Sequence, residues 1–140
     1  MTTAEAIEAM LAEQRNVVVA AIGSDGRPRL TPNWFVWDGT RFYVSTMGDR
    51  AKAVLLRRDP RAQLLIDDAT GHRCIRVDVT TVVDDDLDAG LPYFRAVREK
   101  YGRAVGTDAE LRANLEAEGR VLLVFTPSGP PSSWYTIGLD

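Results

Sequence analysis

Short apolar runs of about strand length dominate the first third of the chain. The β-branched run Val17 to Ile22 is followed by Gly23-Ser24-Asp25-Gly26, which supplies the residues that a hairpin turn requires. The aromatic segment Arg29 to Trp37 predicts a second strand. The turn Asp38-Gly39 then leads into a third strand at Arg41 to Thr46, in which successive side chains point to opposite faces. The pattern therefore predicts three consecutive strands joined by tight turns.

Four later runs predict further strands. Arg61 to Asp67 and Arg73 to Val83 flank the turn Asp68 to Gly71. The second of these runs alternates apolar and polar residues, which indicates one buried and one solvated face. Val121 to Thr126 and Trp134 to Ile137 follow near the end of the chain, separated by a loop rich in proline, serine and glycine.

Helical spacing of apolar residues marks the segments between several of these strands. Capping residues and breakers bound four helices: Thr2 or Thr3 to Asn16, Ala51 to Asp59-Pro60, the acidic cluster Asp84 to Asp86 through Tyr101, and Asp108 to Gly119. Strands joined mainly by tight turns, with helices inserted between them, are typical of a mainly β antiparallel barrel. Because composition does not change abruptly over the 140 residues, we expect one domain spanning 1–140.

Charge and hydropathy exclude several classes of partner. The formal net charge of −3 gives no footprint for nucleic acid. No apolar run approaches the roughly 20 residues that a membrane helix needs. The N-terminal segment carries acidic residues and lacks the pattern of a signal peptide. We therefore expect a cytoplasmic protein that binds neither membrane nor nucleic acid.

Side chains with obvious catalytic chemistry are scarce. Cys74 and His72 are the only cysteine and histidine, and no CxxC or HExxH motif accompanies them, so we predict no metal site and expect Cys74 to be a small buried hydrophobe. Ser132 and Ser133 lack a GxSxG context. The sequence thus assigns no catalytic residue.

Four segments in order carry a resemblance to a known family: SDGRPRLTPNWFVWDG, FYVST, the basic RAK segment and LLRRDPRAQL, with weaker matches at EKYG and at a C-terminal TP...W pair. Together they resemble the flavin/deazaflavin oxidoreductase superfamily, also described as pyridoxamine 5'-phosphate oxidase-like or FMN-binding split barrels. Within it, the sequence looks most like the actinobacterial branch that binds coenzyme F420. The resemblance implies a split β-barrel of about six to seven antiparallel strands that forms a homodimer.

The resemblance also implies where the cofactor ring would lie. Thr31, Pro32, Asn33 and Trp34 occupy the positions that match the ring-binding strand of the family. Pro32 lacks an N–H and belongs at a sheet edge or bulge, which leaves strand backbone free to meet a ligand. The alternative is that Pro32 only protects an edge and that Trp34 is a core residue.

A phosphate needs positive charge and backbone N–H groups, which a turn entering a helix supplies. Thr46, Arg50, Ala51 and Lys52 match that element of the family, and Asp49 fits it only if its side chain caps the helix and faces away. The alternative is that these charged residues form a solvated helix face.

Trp134 is the last candidate, because the C-terminal region of relatives reaches the cofactor groove, often across the dimer interface. It is equally suited to close a barrel core.

The resemblance implies an F420-dependent oxidoreductase that transfers a hydride to an electron-poor small molecule such as an enone, a quinone or a tetrapyrrole. An FMN-dependent reductase or oxidase and a non-catalytic carrier of the cofactor or of a heme-type ligand are the alternatives. The carrier alternative stays open because this chain has Val54-Leu55 where relatives often carry Arg-Asn.

Overall fold

The computed structural model describes all 140 residues. Its helices are α1 (Thr3–Glu13), α2 (Ala51–Arg58), α3 (Leu87–Lys100) and α4 (Asp108–Glu118). Its strands are β1 (Asn16–Ile22), β2 (Pro28–Trp34), β3 (Val36–Trp37), β4 (Phe42–Met47), β5 (Arg61–Asp67), β6 (Cys74–Asp84), β7 (Arg120–Pro127) and β8 (Tyr135–Ile137), with a 3-10 turn at Pro131–Ser133. The predicted helices and strands are present with bounds that differ by a few residues, except that one predicted strand is broken into two.

All strands join one antiparallel sheet in the order β2-β1-β5-β6-β7-β4-β3, and β8 pairs with β6 off this path. The first and last strands in that order, β2 and β3, are separated in the chain by Phe35 alone. Because one residue spans only about 3.5 Å, the sheet has to curl until its two ends meet. The predicted split β-barrel, mainly β with helical insertions, is confirmed.

The break at Phe35 corrects one prediction, since Arg29 to Trp37 is two strands and not one. Trp34 is the last residue of β2 that pairs with β1, opposite Asn16. Val36 is the first that pairs with β4, opposite Tyr43. Phe35 lies between them with its side chain fully buried in the barrel core. The chain thus changes its pairing partner at this residue, which alternation alone does not reveal.

Two apolar clusters occupy the two faces of β4. Phe42 and Val44 point into the barrel core, as their alternation predicts. Tyr43, on the opposite face, is also buried, because α3 and α4 pack over this side of the sheet. Its ring stacks on Tyr93 of α3 with centroids 3.9 Å apart. The layer formed by α3 and α4 therefore covers the outer face of β4, beside the seam where the two ends of the sheet, β2 and β3, meet.

The ends of the α3–α4 layer follow the predicted capping residues. The Asp86 side chain accepts a hydrogen bond from the N–H of Ala89 at the start of α3. Gly119 ends α4 with φ 66°, a left-handed conformation that favours glycine. This glycine turns the chain directly into β7, so the last residue of α4 and the first residue of β7 lie side by side.

None of the helices combines the length and the apolar composition that a membrane-spanning helix requires.

Candidate cofactor site

A cavity of about 620 Å³ lies between the barrel seam and the α3–α4 layer. Pro32, Asn33 and Trp34 of β2 form one wall, and Ser45 of β4 continues it. The opposite wall comes from α3, from the loop that follows α3 and from the junction between α4 and β7. We call this space the Trp34 cavity, since it gathers three of the four residues that the sequence suggested for a cofactor ring.

Trp34 is a wall residue of this cavity and lies outside the barrel core. Its indole is stacked on the ring of Tyr101, with centroids 4.3 Å apart and planes 3° from parallel. The Arg103 guanidinium lies 5.5 Å from the centroid of the Trp34 ring. With 37% of its surface exposed, Trp34 offers an aromatic surface that is held in place and still open to a ligand.

β2 is the terminal strand of the sheet, which confirms the expectation that Pro32 lies at an edge. Pro32 is opposite Val18 of β1, and no strand lies on its other side. Asn33 donates its side-chain amide to the Thr31 carbonyl at 2.8 Å and to the Thr31 hydroxyl at 3.3 Å. Thr31 itself does not line the cavity.

Tyr101, at the end of α3, holds in place the part of the cavity wall that contains Trp34. Its hydroxyl accepts the N–H of Phe35 at 3.0 Å and donates to the carbonyl of Arg15. Burial raises the pKa of the Tyr101 phenol, so the hydroxyl keeps its proton. Sequence reasoning placed Tyr101 on the apolar face of a helix. The weak EKYG match was the only signal of a further role.

The far end of the cavity is positively charged. Arg98 and Arg120 line it together with one carboxylate, that of Glu118, whereas Arg103 lines the cavity beside the Trp34 ring. The Nε of Arg120 lies 2.7 Å from Oε2 of Glu118, and Nη2 of Arg98 lies 3.8 Å from the same oxygen. These residues come from α3, from the loop after it and from the α4–β7 junction. Sequence reasoning missed them because no local motif joins segments so far apart in the chain.

The predicted phosphate element lies next to this charged end, although Arg50, Ala51 and Lys52 do not themselves line the cavity. Met47 pairs with Arg120 at the end of the β4–β7 ladder, and Gly48 donates its N–H to the Gly119 carbonyl at 2.9 Å. Burial lowers the pKa of the Lys52 amine, and the positive charges of Arg50 and Arg120 lower it further. The structure therefore brings Arg50, Lys52 and Arg120 within electrostatic reach of one another, although the sequence joined only the first two.

The N-terminus of α2 reaches solvent at Arg50 and Ala51, whereas Ala53 in the same turn is buried. Arg50 precedes the helix, Ala51 is its exposed first residue, and no side chain caps the N–H groups of this turn. Asp49 therefore does not cap α2, contrary to the condition under which it suited a phosphate. Uncapped N–H groups beside Arg50 and Lys52 are the donors that an anion requires.

Two predicted residues lie elsewhere in the protomer. Thr46 is 4% exposed and lies on the same face of β4 as the core residue Val44, whereas Ser45 faces the cavity. Trp134 packs against Trp37 and Phe42 with centroids 5.3 and 5.8 Å away, and its indole N–H donates to the Gly129 carbonyl at 3.0 Å. Within one protomer neither side chain reaches the Trp34 cavity, and their cofactor roles stay predictions.

Metal-ligating side chains do not gather anywhere in the chain. No group of three or more histidine, cysteine, aspartate or glutamate residues is close enough to hold a metal ion. His72 is exposed. Cys74 is only partly buried, so the expectation of a buried cysteine was wrong. It is the first residue of β6 and pairs with the edge strand β8, where solvent still reaches it.

Comparison with known protein families decides what kind of protein carries this cavity. The family model described as Pyridoxamine 5'-phosphate oxidase matches residues 3–130. The chain belongs to this family. Members of the family bind flavins, and the match covers both β2 and the predicted phosphate element. No curated protein matches the chain by sequence.

Solved structures show the same fold. The conserved hypothetical protein Rv2991 from Mycobacterium tuberculosis is 27% identical with a TM-score of 0.80, over 100% of this chain and 86% of that one. A protein named F420 reductase is 19% identical with a TM-score of 0.69, over 87% and 93% of the two chains. HutZ, a heme storage protein from Vibrio cholerae, is 16% identical with a TM-score of 0.77, over 99% and 96%. Proteins with different named ligands therefore share this barrel.

The Trp34 cavity has the size and the donors that a flavin-type cofactor needs. Its volume of about 620 Å³ is within the usual range of ligand pockets, roughly 300 to 1,000 Å³. An aromatic side chain stands at one end and a cluster of cations at the other. A planar ring carrying a phosphate combines an apolar face with a negative group, so these residues fit such a ligand.

Proposed function

We propose that this protein is an F420-dependent oxidoreductase that reduces an electron-poor small molecule such as an enone, a quinone or a tetrapyrrole. One observation carries the proposal: a single cavity connects the exposed Trp34 indole to a group of positive charges around Arg120. Family membership supports a flavin-type cofactor. The residues quoted for the sequence resemblance favour the deazaflavin form.

In this proposal the bound coenzyme supplies the hydride, and the chain supplies position and charge. Trp34 and Pro32 cover one face of the ring, while the unpaired edge of β2 offers backbone groups to its polar rim. Arg50 and Lys52 hold the phosphate together with the N–H groups of the first turn of α2. Tyr101 keeps the Trp34 indole at a fixed angle.

The proposal includes a homodimer. One row of residues crosses the outer face of the sheet from the cavity to the C-terminal strand: Pro32, Val18, Leu65, Arg76 and Tyr135 pair in this order. Leu65 and Tyr135 are exposed in the protomer, which supports a second copy covering this face. If a second copy covers this face, Trp134, which is next to Tyr135, can contribute to a groove between the subunits, as predicted.

Fluorescence titration of the purified apo-protein with coenzyme F420 and, separately, with FMN tests the proposal. We expect micromolar binding of coenzyme F420 and hydride transfer from its reduced form to a panel of enones and quinones. Binding of FMN alone would move the protein to the FMN-dependent reductases or oxidases of the same fold. Tight binding of coenzyme F420 without turnover of any acceptor would make it a carrier.

A further inference from the structure

Glu118 is the one acidic residue that lines the Trp34 cavity. It is the last residue of α4, and the left-handed Gly119 turns the chain so that Arg120 follows beside it. One oxygen of its carboxylate, Oε2, lies 2.7 Å from Nε of Arg120 and 3.8 Å from Nη2 of Arg98. The carboxylate therefore pairs with two of the guanidinium groups that give this end of the cavity its positive charge.

This arrangement is not required to hold the fold together. The Glu118 side chain is 44% exposed, and exposed ion pairs contribute little to stability. The carboxylate is also not needed to neutralise a buried charge, because Arg98 and Arg120 both reach solvent. A negative group placed in a cavity that otherwise carries only positive charges instead affects what the cavity binds.

The sign and size of that effect depend on the charge of the ligand. Coulomb energy is proportional to the product of two charges, so Glu118 repels a doubly negative group twice as strongly as a singly negative one. In terms of affinity, the factor by which Glu118 weakens binding of a dianion is the square of the factor for a monoanion. An uncharged ligand is not affected.

We propose that Glu118 is a specificity-determining residue that makes the Trp34 cavity select ligands with a singly charged phosphodiester over those with a doubly charged phosphate monoester. This inference rests on the proposed function, because it concerns the phosphate of the same cofactor. It assigns the discrimination between cofactor classes to the α4–β7 junction and not to the ring-binding strand.

Three flavins with one ring and different charge test the inference: riboflavin, its 5'-methyl phosphodiester and FMN, whose phosphate is close to doubly negative at pH 8. Affinities are measured for the full-length wild-type chain and for Glu118→Gln, which removes the charge and keeps the shape. Glu116→Gln is the matched control, since Glu116 is on the same helix and pairs with Arg112 at 2.7 Å outside the cavity.

We expect Glu118→Gln to leave riboflavin unchanged, to tighten the methyl diester about threefold and to tighten FMN about tenfold, with smaller gains at high salt. Glu116→Gln should change none of the three affinities. Equal changes for all three flavins would show a structural role and overturn the inference, as would an FMN affinity that Glu118→Gln fails to raise. In that case binding of coenzyme F420 by the wild type would leave the proposed function standing. Absence of binding by coenzyme F420 and by every flavin would overturn both.

Discussion

The Tyr101 hydroxyl accepts the backbone N–H of Phe35 at 3.0 Å, at the point where the chain leaves one end of the sheet and joins the other. Phe35 has no pairing partner in either β1 or β4, and its side chain is fully buried. Without the tyrosine, this N–H would be buried and unpaired. The hydroxyl of the residue that follows α3 thus completes a barrel that the strands alone leave open.

Removal of this hydroxyl should lower stability. Tyr101→Phe keeps the ring that stacks on Trp34 but leaves the Phe35 N–H and the Arg15 carbonyl without their partner. We expect a loss of about 1 to 3 kcal/mol in the free energy of unfolding, measured with urea. Tyr135→Phe, at an exposed position, should cost less than about 0.5 kcal/mol. Equal stability of the two variants would contradict this role of Tyr101.

The phosphate assignment predicts a loss of affinity on removal of two charges. Arg50→Ala combined with Lys52→Ala should weaken coenzyme F420 binding at least tenfold, because charge-assisted hydrogen bonds contribute about 1.5 to 3 kcal/mol each. Fluorescence titration measures the change. Arg27→Ala combined with Arg61→Ala removes the same net charge away from the cavity and should leave affinity within about twofold. Unchanged binding by the first variant would remove the phosphate from this element.

The aromatic wall predicts a graded effect at Trp34. Trp34→Phe retains a flat aromatic surface and should lower cofactor affinity less than about threefold. Trp34→Leu loses that surface and should lower affinity about tenfold. The same titration measures both variants, and their thermal stabilities provide the control for damage to the fold. If leucine binds the cofactor as well as phenylalanine does, the ring is not stacked at this position.

The burial of Lys100 at the barrel seam predicts that the stability of the fold depends on pH. Its amine lies 3.7 Å from the centroid of the Phe35 ring and donates to the Leu11 carbonyl at 3.2 Å, and burial lowers its pKa to about 8. The folded state thus releases this proton more readily than the unfolded state, whose lysine pKa is about 10.4. Lys100 should therefore make stability rise with pH between about 8 and 10.4.

Lysine titration measures this pKa directly, because the chain contains only Lys52 and Lys100. Reductive methylation with ¹³C-formaldehyde labels both side chains and the N-terminal amine, and the signals lost in Lys52→Arg and in Lys100→Arg assign the two lysines. We expect the Lys100 signal to titrate near pH 8, as its burial implies. A midpoint near the ordinary lysine value would mean that the amine is solvated, and the rise of stability with pH would then be absent.

The outer-face row predicts a dimer. The wild type should be a dimer by light scattering, and Leu65→Glu should be a monomer, because it places a charge in the middle of the row. Val54→Glu is the matched control, since Val54 is an exposed apolar residue on α2 and not on this face of the sheet. A monomeric wild type would contradict the predicted two-subunit groove.

Much of the barrel could be predicted because its strands alternate in burial. β6 shows this most clearly, with Ile75, Val77 and Val79 buried and Arg76 and Asp78 exposed. Helix ends could also be predicted where a capping residue such as Asp86 or Gly119 interacts with its own neighbours in the chain. These features depend on interactions between residues close in sequence, and a pattern along the chain records such interactions.

The break at Phe35 and the charged end of the cavity could not be predicted in this way. The partner of Phe35 is Tyr101, 66 residues later in the chain. Arg98 and Arg120 come together only after α3 and β7 have packed. Neither relation leaves a periodic signal, whereas Arg50 and Lys52 stand in a short segment that can be compared directly with a family. The part of the candidate site that could be predicted is therefore formed by residues close in sequence. The part that was missed is formed by residues that only the tertiary structure brings together.

The one-residue link between β2 and β3 divides the cavity into a rigid wall and an adjustable one. Trp34 cannot shift without opening the barrel, because Phe35 beside it closes the sheet. Across the cavity, Arg103 stands on a short loop bounded by Gly102 and Gly106, both in the left-handed conformation at φ 70° and 73°. Changes of ligand during evolution or in protein engineering are thus expected to accumulate on this loop and along α3 and α4, while β2 stays as it is. One barrel could in this way be adapted to different cofactors without any change in how it folds.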